Sequence, residues 1–253
     1  MKANHSTALG RRAAAGLYLS ILAAAIPLAL AGCGTTKEAR SVTPAGFLGN
    51  YSDFRRGVGN EPYLIYANPT ADCRKYTKVM IDPVTLWSRG DDSSLQKLEE
   101  KDRDMLRALG SETLRQTVTQ AGLTVVDEPG PDVMRMRAAF TDAEKANVLL
   151  EDISAAAPYV SGAATLYAEE KGQALWTGDV AYEMEFLDSM TGERLSAAVD
   201  KRVGLLDIRN LDAWDSVRAA LKVWQERGTK RLISCQQTGS FTTRPREQTL
   251  DQQ

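Results

Sequence analysis

The chain has 253 residues, 43% hydrophobic and 25% charged, a composition that fits one globular domain with a full core. Its 31 Lys and Arg against 33 Asp and Glu leave a formal charge of −2, so no basic surface for nucleic acid is expected. The only histidine is His5; once the leader described next is removed, no imidazole remains for Ser-His or Cys-His pairs or for His-containing zinc sites.

Lys2, Arg11 and Arg12 form a basic start, and Ala13 to Leu30 is an apolar run. Small residues and a cysteine follow, which is the three-part pattern of an export signal over residues 1–32. The run is long enough for a spanning anchor, but Pro27 and the Gly32-Cys33 step weigh against that. Leu30-Ala31-Gly32-Cys33 resembles the lipobox of bacterial lipoproteins. The resemblance implies that signal peptidase recognises Leu30, Ala31 and Gly32, that Cys33 takes diacylglycerol, and that the new amino terminus is acylated. Gly34, where an aspartate would retain the protein in the inner membrane, implies the periplasmic face of the outer membrane of a diderm bacterium. The leader carries three cations and no acid, so the mature chain is more acidic than the whole.

Residues 33–45 are polar and are expected to be the lipidated cysteine and a flexible tether, reaching at most about 40 Å. A single α+β domain is expected over 46–235, with a disordered tail over 236–253. Tyr63 to Tyr66 reads as a strand, and Tyr76 to Trp87 as another with Pro83 at a bulge or edge. Asp91-Asp92-Ser93 can cap a helix whose apolar face runs through Leu95, Leu98, Met105, Leu106 and Leu109. Gly110-Ser111 interrupts that face, and Leu114, Val118 and Ala121 resume it rotated, so one bent helix or two abutting ones are expected. Gly122 ends the helix, and Leu123 to Val126 is a strand.

Met134, Met136, Ala138 and Phe140 alternate with Val133, Arg135, Arg137 and Ala139, the pattern of a half-buried strand. Arg135 and Arg137 project side by side and could receive an anionic group, ion pairing being the ordinary alternative. Asp142-Ala143-Glu144 can start a short helix, and Ser154 to Ala168 reads as a loose connection. A hairpin follows, with Trp176, Val180, Tyr182, Met184 and Phe186 opposite Glu183 and Glu185. Its turn holds Gly192, and its second strand carries Leu195, Ala197, Val199 and Val203 on one parity. Asp200 and Arg202, on the other, are expected to pair with Glu183 or Glu185. Asp212 is expected to cap a last helix with the seam Trp214, Val217, Leu221 and Trp224. Cys73 and Cys235 form either a disulfide, allowed in that compartment, or two separately buried small apolar residues. The whole is expected to be α+β: a mostly antiparallel sheet of about five to six strands with two main helices packed on it.

Four blocks carry a resemblance to a family: Gly46 to Tyr51, Tyr76 to Val84, Val125 to Pro131 and Leu187 to Leu195. Together, over roughly residues 45–232, the chain resembles the bacterial lipoproteins with the DUF3313 domain, a domain of unknown function. That family implies no catalytic residue.

No catalytic, metal or cofactor constellation is found in the sequence. The leading expectation is therefore a non-enzymatic, lipid-anchored binding or scaffold domain. Its partners would be the membrane, through its lipid, and a periplasmic protein or the cell wall. Two alternatives remain: a wall-glycan hydrolase using Glu183 and Glu185, and a carrier of a small ligand or lipid in an apolar cleft.

Overall fold

The computed structural model describes residues 36–39, 41–88, 90, 93–144, 178–204 and 214–241. The leader, Leu30 to Cys33, Ser154 to Ala168, Trp176, Asp91, Asp92 and Asp212 lie outside them. Among the described residues, no helix is long and apolar enough to cross a membrane.

Among the described residues, nine strands form one sheet: β1 (Thr36–Glu38), β2 (Arg55–Arg56), β3 (Leu64–Ala67), β4 (Lys78–Ile81), β5 (Thr85–Leu86), β6 (Thr124–Val126), β7 (Val133–Glu144), β8 (Asp179–Asp188) and β9 (Arg194–Gly204). The order is β2-β3-β9-β8-β7-β4-β6, with β1 also on β9 and β5 also on β7. Helices α1 (Glu100–Gln120) and α2 (Asp215–Thr238) complete an α+β fold. The sheet is mixed and larger than expected. Strands β4 and β6 are parallel, as are β4 and β7, and β5 and β7. A helix between two strands that end up adjacent forces this, because a parallel pair needs a crossover. The extra strands escaped the sequence because two or three residues carry no periodicity.

Strand β7 runs on through Asp142-Ala143-Glu144, where a short helix was expected. A bulge between Phe140 and Asp142 shifts the register by one. The alternation therefore looks lost in the sequence, yet Ala143 returns to the core. A second irregularity, between Phe186 and Leu187, separates Leu195 from its parity mates. Leu195 joins the helix-side core, while Ala197 and Val199 pack on the opposite face.

Helix α1 is continuous through Gly110-Ser111. Leu95 belongs to a separate 3-10 turn, Ser94–Lys97, ahead of it. Gly110 is where α1 meets the sheet: a Cβ there would lie 2.8 Å from the Phe140 ring and 3.1 Å from Val84. The glycine is a close approach, not a break.

The hairpin turn depends on Asp188 and on Gly192, whose φ is 74°. Asp188 Oδ1 accepts from the amides of Met190 and Thr191, both at 2.9 Å, and Oδ2 accepts from Tyr76 Oη at 2.7 Å. Burial alone would raise the Asp188 pKa; these bonds, with Lys75, outweigh it and hold the carboxyl well below its ordinary range.

Thr36–Glu38, expected to lie in a flexible tether, form a strand instead. Thr36, Lys37 and Glu38 pair with Gly204, Val203 and Arg202 of β9, and Arg202 donates to Thr36 Oγ1 at 2.8 Å. Backbone pairing of this kind leaves no mark on composition. The far boundary also moves. Helix α2 continues to Thr238, and Phe241 is buried against Phe186, so the ordered domain passes the expected end at 235.

Cys73 and Cys235 form a disulfide, with Cα atoms 5.8 Å apart and a separation of 162 positions in sequence. It pins the turn Cys73–Lys75 to the last turns of α2, where Gln236 Nε2 also donates to Cys73 O at 2.9 Å. Closing so long a loop restricts the unfolded chain, worth about 5 kcal/mol in the chain-entropy model. Adding a reductant should therefore lower the urea midpoint of the wild type, whereas a Cys73→Ala/Cys235→Ala variant should start lower and not respond. A reductant-insensitive wild type would contradict this.

Candidate functional site

The two faces of the sheet differ in kind. On the face away from the helices, Glu183 and Glu185 were expected to be solvated; they are 0% and 2% exposed. Register explains why Asp200 and Arg202 do not reach them. Glu183 faces Val199 and Glu185 faces Ala197, while Asp200 is opposite Tyr182 on the helix side. There Asp200 accepts from Trp224 Nε1 at 2.7 Å and from the Tyr63 amide at 3.2 Å.

The segment that covers the two glutamates is Ala45 to Tyr51. Glu183 accepts from the amides of Ala45 and Leu48 and from Tyr51 Oη, the last at 2.5 Å. Burial, and then the bond to Glu183, push the Tyr51 pKa up to about 12, so Tyr51 is a donor at neutral pH. Glu185 is held by Arg137 at 2.6 Å and Arg194 at 2.8 Å, and Arg194 Nη2 donates onward to Leu48 O at 2.6 Å. Phe47 closes the layer, its ring 5.1 Å from the Arg137 guanidinium carbon and 5.8 Å from Trp87.

Arg135 and Arg137 thus project side by side, as the alternation implies, but their ligands are internal. Arg135 binds Asp82 at 2.7 Å and Arg137 binds Glu185. The two glutamates do not flank an open cleft, and each is engaged by internal donors. The hydrolase reading finds no support in that geometry. Among the described residues, no group of three or more His, Cys, Asp or Glu is placed to hold a metal.

The helix-side face has a different feature. Its core is two clusters rather than one. The first gathers Cys73, Tyr76, Val79, Val118, Met134, Leu232 and Phe241. The second gathers Leu95, Leu106, Phe140, Val217, Leu221 and Trp224. Between them lies a cavity of about 390 Å³, walled by both helices and the sheet. Three surfaces become small or polar at the same level. Helix α1 contributes Gly110 and Thr113, helix α2 contributes Gly228, and the sheet contributes Ala138 and Ala198. In α2 no apolar residue stands between Trp224 and Leu232. Tyr182 and Met184 line the cavity and remain only half-buried despite their interior position. Tyr182 packs edge-on against Trp224 at 4.4 Å.

The sequence contained part of this signal. Gly110-Ser111 and the end of the seam at Trp224 were both visible as interruptions. What was not visible is that the two helices place their interruptions opposite each other. Arg231, which also lines the cavity, was not singled out at all. It lies one helical turn before Cys235, in a polar stretch that resembles a solvated face.

Glu183 is predicted to be the fastening point of the Ala45–Tyr51 segment. Glu183→Ala should cost about 3 kcal/mol, since hydrogen bonds to a charged acceptor are lost and their donors left uncovered. Amide exchange at Ala45 and Leu48 should quicken while the β7–β8 amides stay protected. An unchanged denaturation midpoint would contradict the assignment.

Comparison with known proteins gives one family. The family described as "Protein of unknown function (DUF3313)" matches residues 43–227. No curated protein matches the chain. Among solved structures, the PelC dodecamer from Paraburkholderia phytofirmans is similar at 13% identity and a TM-score of 0.35, over 68% of this chain and 94% of that one. A DUF4136 family protein from Bacteroides thetaiotaomicron is similar at 10% identity and a TM-score of 0.33, over 67% of this chain and 95% of that one. The family match spans most of the chain and includes each of the blocks that carried the resemblance: this protein belongs to the DUF3313 family.

Proposed function

We propose that this protein is a non-enzymatic, lipid-anchored binding domain at the periplasmic face of the outer membrane, and that it holds a small apolar ligand between its helices and its sheet. The cavity of about 390 Å³ carries the second half of this reading. It falls within the roughly 300–1,000 Å³ of ligand clefts. It opens to solvent on one side and its lining is almost wholly apolar, the form of a cleft that takes an apolar occupant. Binding of this kind takes precedence over the scaffold reading, for which no surface feature offers similar support.

The anchor half rests on Leu30-Ala31-Gly32-Cys33. With β1 starting at Thr36, only Gly34 and Thr35 separate a lipidated Cys33 from the sheet, a reach of about 10 Å. The domain would then work close to the bilayer rather than at the end of a long tether, within reach of apolar molecules leaving it.

Two outcomes are expected. In cells given a labelled palmitate analogue, the wild type should take up label and fractionate with outer membranes, and Cys33→Ser should do neither. Equal labelling of the two would remove the anchor. Separately, the uncharged fluorophore N-phenyl-1-naphthylamine should bind the full-length protein saturably. Ala138→Leu/Ala198→Leu, which fills the cavity, should weaken binding at least tenfold without lowering the melting temperature. Equal binding by the filled variant would contradict the cavity reading.

A further inference from the structure

Tyr182 and Arg231 are among the polar side chains that line the cavity without a protein partner among the described residues. Tyr182 makes ring contacts but no hydrogen bond through its hydroxyl, and Arg231 makes neither a hydrogen bond nor an ion pair. Their neighbours are committed elsewhere. Glu61, half-buried beside the exposed Asn60, is held by Arg55 at 2.6 Å and 2.7 Å and accepts from the Val58 amide. Arg227 is shared between Glu38 and Asp200, each at 3.4 Å. Asp200 in turn is bonded to Trp224. Arg231 is therefore a half-buried cation in a largely apolar wall, influenced by Glu61 but with no hydrogen bond or ion pair among the described residues. Burial lowers its pKa to about 10, with Glu61 and Tyr182 acting in the opposite direction, so it is charged at neutral pH.

We propose that the cavity binds a single-chain carboxylic amphiphile, a free fatty acid, with its carboxylate on the Arg231 guanidinium and the Tyr182 hydroxyl and its chain between the two core clusters. The inference rests on the cavity reading above and adds the chemical class of the ligand. The planar guanidinium matches a carboxylate in two parallel hydrogen bonds, and the tyrosine hydroxyl supplies a further donor. The remaining wall accepts methylenes: Met136, Met184, Phe186, Leu114, Leu221 and Trp224. At roughly 30 Å³ for a unit the size of water or methylene, the volume holds on the order of a dozen carbons. That suits one acyl chain.

The test is calorimetric titration of the full-length protein with dodecanoate and with dodecanol, for the wild type, Arg231→Gln and Arg231→Lys. Dodecanoate is expected to bind the wild type at least tenfold more tightly than dodecanol. Arg231→Gln should abolish that preference while leaving the dodecanol affinity unchanged, and Arg231→Lys should retain part of it. Raising the salt should weaken dodecanoate alone. Equal binding of both ligands by the wild type, or an undiminished preference in Arg231→Gln, would overturn the head-group assignment and leave the cavity reading standing. Binding of neither ligand would overturn both. If Arg231→Gln fails to fold, the wild-type preference, its salt dependence and Arg231→Lys still decide.

Discussion

Burial of two carboxylates under a backbone loop is the constraint on which one face of this fold depends. A glutamate removed from water is tolerated only if its oxygens are satisfied, because an unpaired buried charge costs several kcal/mol. Glu183 meets that demand with Ala45, Leu48 and Tyr51, and Glu185 with Arg137 and Arg194. The same contacts seat the Leu48, Phe47 and Tyr51 side chains on Ala197 and Val199. Polar fastening and apolar cover are therefore one structure. The block Gly46 to Tyr51 has a physical role that composition does not suggest: it supplies donors at the spacing that one carboxylate needs.

The opposite face follows another rule. Helices α1 and α2 cover the sheet at both ends, and a disulfide, a helix terminus and Phe241 close one of them. Midway, glycine, threonine and alanine replace large side chains on all three walls. Tight contact is kept where it matters for the frame. Gly110 lets α1 approach Phe140, and a Cβ at Gly228 would lie 2.9 Å from Thr117 on α1. The small residues thus draw the helices in at their crossing and open space beneath it. Both buried tryptophans give their indole N–H to a buried aspartate, Trp214 to Asp102 and Trp224 to Asp200. They are anchors of the wall rather than spare aromatic surface.

Much of the frame was legible. Alternation in β7 placed Met134, Met136 and Phe140 inward, and the hairpin from β8 to β9 was plain from its turn residues. The failures are specific. Two irregularities, at Phe140/Asp142 and Phe186/Leu187, each moved side chains across the sheet or ended a visible alternation. Parity arguments hold only within an uninterrupted register, so Leu195 and Asp142-Ala143-Glu144 were misplaced. The short strands β1, β2 and β5 exist because longer neighbours offer them an edge. The glutamates looked solvated because acidic residues alternating with apolar ones are usually an exposed face, and only a distant segment can cover them.

What the sequence determined by itself is therefore local: the long strands, the two helices, the turn at Asp188 to Gly192, and the family blocks. Each of these rests on short-range periodicity or on the chemistry of neighbouring residues. Tertiary structure alone decided which carboxylates are buried, that Cys73 meets Cys235, and that the interruptions in α1 and α2 face one another. These depend on contacts between residues more than a hundred positions apart. No local pattern encodes such contacts, and so neither the cavity nor the place of Arg231 in its wall could be read before the chain was folded.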